Sequence, residues 1–307
     1  MRLLRFFAAI LGKILRMTLT RASHCKINLL LDVLGKRPDG FHELETILSP
    51  VPICDQLEFA TIPHPGVELS CSDSSLPTGR GNLVFDAATA FLKQTRLKSG
   101  IKIHLEKCLP IAAGLGGGSG NAAQTLTAMN EIFDRPLRGE ELTELAATLG
   151  SDVPFFLQDA PALGTGRGER IVPLKPFPAL RGAFVLLINL GFGVSTPWAY
   201  RQLNLPALTE PRRSSRSAAL LELLSQADLD AVGPALFNSL EGPVFEKYPV
   251  LALLKEFLGQ QGAKASLMCG SGSSTFAICE SERQAQKLGD AVRAEFGQAS
   301  WIGVAPM

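Results

Sequence analysis

The 307-residue sequence is poor in the residues that build metal centres and disulfide frameworks. Histidine occurs only at His24, His42, His64 and His104, which argues against a His-rich metal site. The cysteines Cys25, Cys54, Cys71, Cys108, Cys269 and Cys279 form no CxxC pair and stand at no zinc-like spacing from a histidine. They read as reduced thiols of a cytoplasmic protein. Net charge is scarce too: 30 basic against 29 acidic residues leave +1, so no broad field draws nucleic acid or holds the chain stably on an anionic membrane. No repeat or low-complexity tract occurs, and no apolar span reaches the length of a transmembrane helix. A site for a charged ligand must therefore be local.

The first residues, "MRLLRFFAAILGKILRM", contain no acidic residue and no clean small-residue cleavage site. They read either as a membrane-surface or crude targeting helix, or as upstream sequence before a start at Met17, with residues 1–16 an extension. Ordinary domain sequence begins abruptly after them.

What is present is a chain about twice the usual domain length, with 46% apolar residues, enough for two packed lobes. "CKINLLLDVLG", "ETILSPVPICDQLEFATI", "GVELSCS" and "GIKIHLEKCL" read as strands, and "NLVFDAATAFLKQT" as a helix that Asn82 could cap. "NAAQTLTAMNEIF" and "RGEELTELAATLGSD" are helical, the second ending at Gly150. "ALGTGRGERIVPLKP" reads as a loop-rich passage between lobes. In the second half, "GAFVLLINL" is a buried strand, "ASLMCGSGSSTFAIC" a strand–turn–strand, "SERQAQKLGDAVRAEF" a helix and "ASWIGVAP" a last strand. Mixed helices and antiparallel strands argue for an α+β fold.

The segment "PIAAGLGGGSGNAAQ" places its glycines between a strand and a helix. Glycine lets a ligand approach the main chain, and a helix start presents free N–H groups at the positive end of its dipole. That combination suits phosphate. The loop is not GxxxxGK[ST], and its partial GxGxxG match fails at Ser119. Two single residues add to it. Asp152 in "LGSDVPFF" follows a helix and precedes an apolar run, where it reads as a turn or cap residue or as a catalytic carboxylate. Lys26 is one long cation inside an apolar strand, either snorkelling to the surface or held for chemistry. A lysine near a carboxylate keeps it ionised.

Together, "KINLLLDVLGKRPDGFHELETIL", "GLGGGSGNAA", "LGSDVPFF" and "MCGSGSSTFA" resemble, in order and spacing, the GHMP kinases from about Ser23 to the C-terminus. The resemblance is to the branch that phosphorylates a cytidine diphosphate methylerythritol. It implies a two-lobed fold, with a ribosomal-protein-S5-domain-2-like lobe over 17–165 and a ferredoxin-like α/β-plait lobe over 166–307. It implies ATP and Mg2+, a small-molecule substrate and no protein-built metal site. The phosphate loop maps to Pro110, Ile111, Ala112, Ala113, Gly114, Leu115, Gly116, Gly117, Gly118, Ser119 and Gly120. Ser119 would lie near the phosphates or the magnesium. Lys26 and Asp152 map to the catalytic pair, and Asn28, two along the strand from Lys26, to a substrate contact. Asn82 maps to a nucleotide-side position, which it shares with its reading as a helix cap.

Cytosine recognition maps to Phe41 and His42, with Tyr200 as the second aromatic of a sandwich and Thr196 a polar contact. Tyrosine is usual where Phe41 stands; phenylalanine can still stack on a base but brings no phenol hydroxyl to bond with. Gly270, Ser271 and Gly272 map to a third motif bracing the phosphate loop, though a plain hairpin turn fits them as well. A GHMP kinase of another small alcohol, or a nucleotide-binding sensor without turnover, remains an alternative.

Overall fold

The computed structural model describes residues 18–207 and 214–307; the N-terminal segment 1–16 and the start expected at Met17 lie outside them. In chain order its elements begin with β1 (Thr18–Lys36), β2 (His42–Ile62), β3 (Gly66–Cys71), α1 (Leu83–Thr95), β4 (Gly100–Glu106), α2 (Gly117–Ile132), α3 (Gly139–Leu149), β5 (Ala162–Thr165), β6 (Arg170–Pro173) and β7 (Phe184–Asn189). They continue with α4 (Thr196–Arg201), α5 (Ser215–Ser225), α6 (Leu229–Val232), β8 (Phe237–Asn238), α7 (Glu241–Lys247), α8 (Pro249–Gln260), β9 (Ala265–Met268), β10 (Thr275–Cys279), α9 (Glu282–Phe296) and β11 (Trp301–Pro306). The fold is the mixed α+β expected. Its two compact units interleave along the chain. One takes the described residues through Ser23, Cys54–Cys108 and Gly117–Leu157; the other takes His24–Ile53, Leu109–Gly116 and Gln158–Met307. Neither is one continuous half of the sequence.

In the first unit the end of β2 pairs antiparallel with β4 from Gln56↔Glu106 to Ile62↔Gly100, and β3 joins β4 in parallel. The alternation of "GIKIHLE" is realised, with Ile101, Ile103 and Leu105 buried. Helix α1 starts where Asn82 Oδ1 accepts the Val84 N–H at 3.0 Å. It buries Val84, Ala87, Ala88 and Phe91, one stripe at helical spacing. Helix α3 starts where Glu141 reaches back to the Arg138 N–H at 2.9 Å, and it ends at Gly150.

In the second unit four antiparallel strands lie in the order β11-β7-β10-β9. Alternation divides their side chains. Leu186, Ile188, Ala277 and Cys279 pack with Leu254 and Leu258 of α8 and Ala285, Leu288 and Val292 of α9. Val185, Leu187, Phe276 and Ile278 join Ile27, Leu29 and Ile47 in another core. Two helices on one face of a four-stranded antiparallel sheet form the plait expected.

One local expectation is corrected. "ALGTGRGERIVPLKP" is not a loop-rich passage but a hairpin: β5 pairs with β6 from Ala162↔Pro173 to Thr165↔Arg170, and also with β2 at Thr46–Leu48. Its turn uses Gly166 at φ +74° and Gly168 at φ +100°. Strands of four residues are too short to show a period, so the glycines dominate the sequence signal.

Candidate active site

Lys26 does not snorkel. It is 3% exposed, and its Nζ donates to Asn28 Oδ1 at 2.7 Å and to the Gly114 carbonyl at 3.0 Å. A buried ammonium demands such acceptors, and β1 supplies one of them because residues two apart share a face. Asn28 is oriented in turn: its Nδ2 donates to Thr46 Oγ1 at 2.8 Å, and that hydroxyl donates to the Leu30 carbonyl at 2.6 Å. Thr46 carries no signal in the sequence, because its part depends on the register of β2.

Residues 110–116 are fixed by backbone contacts. The Lys26 N–H donates to the Leu115 carbonyl at 3.0 Å, the Ser274 N–H to Ala113 at 3.1 Å and the Val194 N–H to Ala112 at 3.3 Å. Ala112 sits at φ +53°, unusual for a residue with a side chain. Ile111 and Ala112 are exposed, Pro110, Gly114 and Gly116 half-buried, and Ala113 and Leu115 buried.

Gly270, Ser271 and Gly272 lie in the segment joining β9 to β10 and come close to the same place. A Cβ on Gly270 would stand 3.1 Å from the Gly114 carbonyl oxygen and 3.4 Å from Lys26 Nζ. Ser271 Oγ is 2.7 Å from Thr196 Oγ1. The segment is held by Asn238, whose Nδ2 donates to the Met268 and Gly270 carbonyls at 2.9 and 2.7 Å. Asn238 is invisible in the sequence, being 30 or more residues from what it holds. Beside the group, burial pushes the Cys269 thiol well above its ordinary pKa despite the charge of Lys26, so it stays protonated and unreactive. The structure thus brings together Lys26, Asn28, the start of the glycine loop, Gly270–Gly272 and Thr196.

The rest of the glycine loop belongs to the first unit. Helix α2 starts at Gly117 with no acidic residue in its first turn, leaving its positive end uncompensated there. Gly118 is exposed, Ser119 half-buried and Gly120 buried. These features fit a phosphate chain. Among the described residues no three His, Cys, Asp or Glu side chains are grouped to hold a metal ion. Magnesium, which binds mainly through phosphate oxygens and water with few protein ligands, would find the Ser119 hydroxyl here. Asn82 caps α1, and its Nδ2 also donates to the Pro77 carbonyl at 2.9 Å. Asp152 is half-buried in the turn between α3 and a 3₁₀ helix at Pro154–Leu157, where the Val153 N–H donates to Gly150 at 3.2 Å.

Phe41 and His42 diverge. The His42 ring meets Tyr200, with centroids 5.3 Å apart and planes at 39°. That spacing leaves no room for a base between the two rings. Burial and the charge of Lys36 lower the His42 pKa, which favours neutral imidazole with one donor and one acceptor nitrogen. Phe41 is 51% exposed, and its ring lies 4.6 Å under the Arg167 guanidinium. Its backbone is pinned: its N–H donates to Asp39 Oδ1 at 3.1 Å and its carbonyl accepts the Arg37 N–H at 2.8 Å.

Gly114 yields a prediction about the loop. It sits at φ +78°, and an added Cβ would lie 1.9 Å from the Cys269 carbonyl oxygen. Gly114→Ala is therefore expected to destabilise by roughly 2–4 kcal/mol through overlap and left-handed strain. Gly118→Ala, whose Cβ would meet only Leu83 Cδ1 at 3.5 Å, should shift stability by under about 1 kcal/mol. Thermal unfolding of both variants is the check. Equal melting temperatures would mean that the loop repacks around the extra methyl.

Two family models match the chain: the GHMP kinases N terminal domain over residues 82–160 and the GHMP kinases C terminal over residues 220–298. The 4-diphosphocytidyl-2-C-methyl-D-erythritol kinase of Citrifermentans bemidjiense is 42% identical over 265 residues, covering 85% of this chain and 89% of that relative. The enzyme of the same name from Geobacter sp. strain M21 is 41% identical over 265 residues, with the same coverage of 85% and 89%. A crystal structure of 4-(cytidine 5'-diphospho)-2C-methyl-D-erythritol kinase superposes with a TM-score of 0.75 at 34% identity, covering 94% of this chain and all of the other. With matches at this identity over most of its length, the chain belongs to the 4-diphosphocytidyl-2-C-methyl-D-erythritol kinase family of the GHMP kinases.

Proposed function

We propose that this protein transfers the γ-phosphoryl group of ATP to the 2-hydroxyl of 4-diphosphocytidyl-2-C-methyl-D-erythritol, a step of the non-mevalonate isoprenoid pathway. The observation that carries the reading is the buried Lys26 ammonium bonded to the carbonyl of Gly114 within the glycine loop. Such a cation is fixed before substrate arrives, so charge developing on a transferred phosphoryl group meets a preorganised partner. The uncompensated start of α2 receives the phosphates, and the flanking glycines let them reach the main chain. Magnesium supplies charge neutralisation on the phosphate oxygens. Asp152 takes the proton of the 2-hydroxyl as its oxygen bonds to the γ-phosphorus and the bond to the β–γ bridging oxygen breaks, releasing ADP. Asn28, steadied by Thr46, and the Thr196–Ser271 pair orient the methylerythritol end. Asn82 remains on the nucleotide side as the cap of α1.

We assign residues 17–165 to the N-terminal module and 166–307 to the C-terminal one; the two family-model matches fall on either side of that boundary. We place the protein in the cytoplasm on the spacing of its six cysteines, which form no CxxC pair and stand at no zinc-like distance from a histidine. No helix among the described residues is long and apolar enough to cross a membrane, and the near-zero net charge gives nucleic acid no broad surface.

The test is a coupled ADP-release assay with magnesium. ADP release with the cytidyl-methylerythritol substrate, well above that with mevalonate or homoserine, is the expected result. Release only with another alcohol would move the chain elsewhere among GHMP kinases, and nucleotide binding without release would make it a sensor.

At the base end, an aromatic face is worth roughly 1–3 kcal/mol per stacked base. Phe41→Ala should thus raise the KM for the cytidyl substrate about 5- to 150-fold, with the KM for ATP little changed. Phe41→Tyr should be neutral or mildly favourable, since Phe41 is exposed enough for a hydroxyl to reach water. His42→Ala should narrow discrimination between the cytidyl substrate and its uridyl analogue. Unchanged discrimination and KM in both Ala variants would show that the base is read elsewhere.

A further inference from the structure

The chain leaves β4 at Glu106, enters the glycine loop after Cys108 and re-enters helix at Gly117, so the loop's shape depends on how the two stems are held. One fully buried carboxylate holds both. Asp55, on β2, is 0% exposed. Its Oδ1 accepts the Cys108 N–H at 2.8 Å, and its Oδ2 accepts the Asn121 Nδ2–H at 3.0 Å. Oδ2 also forms an ion pair with Lys107, whose side chain is 6% exposed. Cys108 is the last residue of the incoming stem, and Asn121 lies in the first turns of α2, the outgoing stem. Asn121 is further tied down by the Thr125 hydroxyl, which donates to its carbonyl at 2.7 Å.

A carboxylate without access to water is costly, and this one spends its bonds on a backbone N–H and an amide rather than on core packing alone. The same carboxylate is ion-paired with Lys107, which makes both bonds charge-assisted.

We propose that Asp55 is a positioning residue for ATP. It fixes the distance between Cys108 and α2, and so sets the alignment of the loop's N–H groups on the phosphates. The proposal rests on reading Pro110–Gly120 as the phosphate loop. It predicts a defect specific to nucleotide, because none of the four residues of the network belongs to the group formed by Lys26, Asn28 and Thr196.

The experiment compares Asn121→Ala and Asp55→Asn with the unmodified full chain. It measures calorimetric binding of a non-hydrolysable ATP analogue with magnesium, and KM and kcat for both substrates at a temperature below each variant's melting. Asn121→Ala leaves the ion pair in place, so it should fold. It should weaken the analogue and raise the KM for ATP by about five- to tenfold, with the KM for the alcohol substrate and kcat within about twofold. Asp55→Asn strands the Lys107 ammonium and should melt earlier. Where it folds, its KM for ATP should rise by about tenfold or more. An Asn121→Ala protein that binds the analogue as the unmodified chain does overturns the proposal, whatever its melting temperature. Equal losses in both substrates also overturn it, since that is what general loosening produces. Failure of the unmodified chain to bind the analogue overturns the phosphate-loop reading itself, and the proposal with it.

Discussion

Asp152→Asn is expected to lower kcat by about 10²- to 10⁴-fold, the usual cost of losing a positioned base, while ATP binding stays near that of the unmodified chain. The side chain sits half-buried in the turn that follows Gly150, between α3 and the 3₁₀ helix at Pro154–Leu157. That turn is anchored by Val153, Phe155 and Phe156, all buried, so apolar packing holds the backbone bearing Asp152. Asparagine has the same shape and can still orient a hydroxyl, but it cannot accept its proton. The substitution therefore separates proton transfer from structure. Thermal unfolding should move little, and a single-turnover measurement with saturating ATP should show slow chemistry, not weak binding. A variant that keeps more than half the activity would remove Asp152 from the reaction and leave it a turn residue.

The parts of this molecule that can be read in the sequence are those written in local patterns. The alternation of "GIKIHLE", the Asn82 cap and the stripe of α1 each depend on neighbours within a few positions, and each is found as expected. The glycine run is conspicuous because residues of one type cluster there. Its clamps are not. Asp55 lies on a different strand from the loop it borders, and Asn238 reaches the Gly270 segment from 30 or more residues away. Their functions arise only when β2 pairs with β4 and when β8 places Asn238 beside the end of β9. Arg167 is hidden for a further reason. The segment around it has the composition of a connection, and only the β5–β6 hairpin carries its guanidinium over Phe41. The pairing of rings shows the same limit. Sequence places Phe41 and His42 side by side, but adjacent residues diverge in extended chain, so only His42 turns towards Tyr200.

Lys26 offers the second large effect. Lys26→Met is expected to reduce kcat by on the order of 10²- to 10³-fold, with a smaller change in the KM for either substrate. Methionine keeps most of the volume in a site that is 3% exposed, so packing is largely conserved while the charge is removed. The substitution also leaves Asn28 Oδ1 and the Gly114 carbonyl without this donor, at a cost of about 1–3 kcal/mol in stability for a buried unsatisfied group. Activity must therefore be measured well below the melting temperature, which separates the two losses. Lys26→Arg keeps the charge but should rescue poorly. A guanidinium is a wide planar fork, whereas Lys26 Nζ bonds two acceptors as a compact point and lies 3.4 Å from where a Cβ on Gly270 would stand. The small residue at 270 thus fits an ammonium and leaves little room for the larger head. Full specific activity in folded Lys26→Met would make the ammonium a structural strut between β1 and the glycine loop. Recovery of activity in Lys26→Arg would show that charge alone, irrespective of geometry, is what the site requires. Loss in both, with ATP binding retained, is the outcome expected of a cation fixed in advance where phosphoryl charge develops.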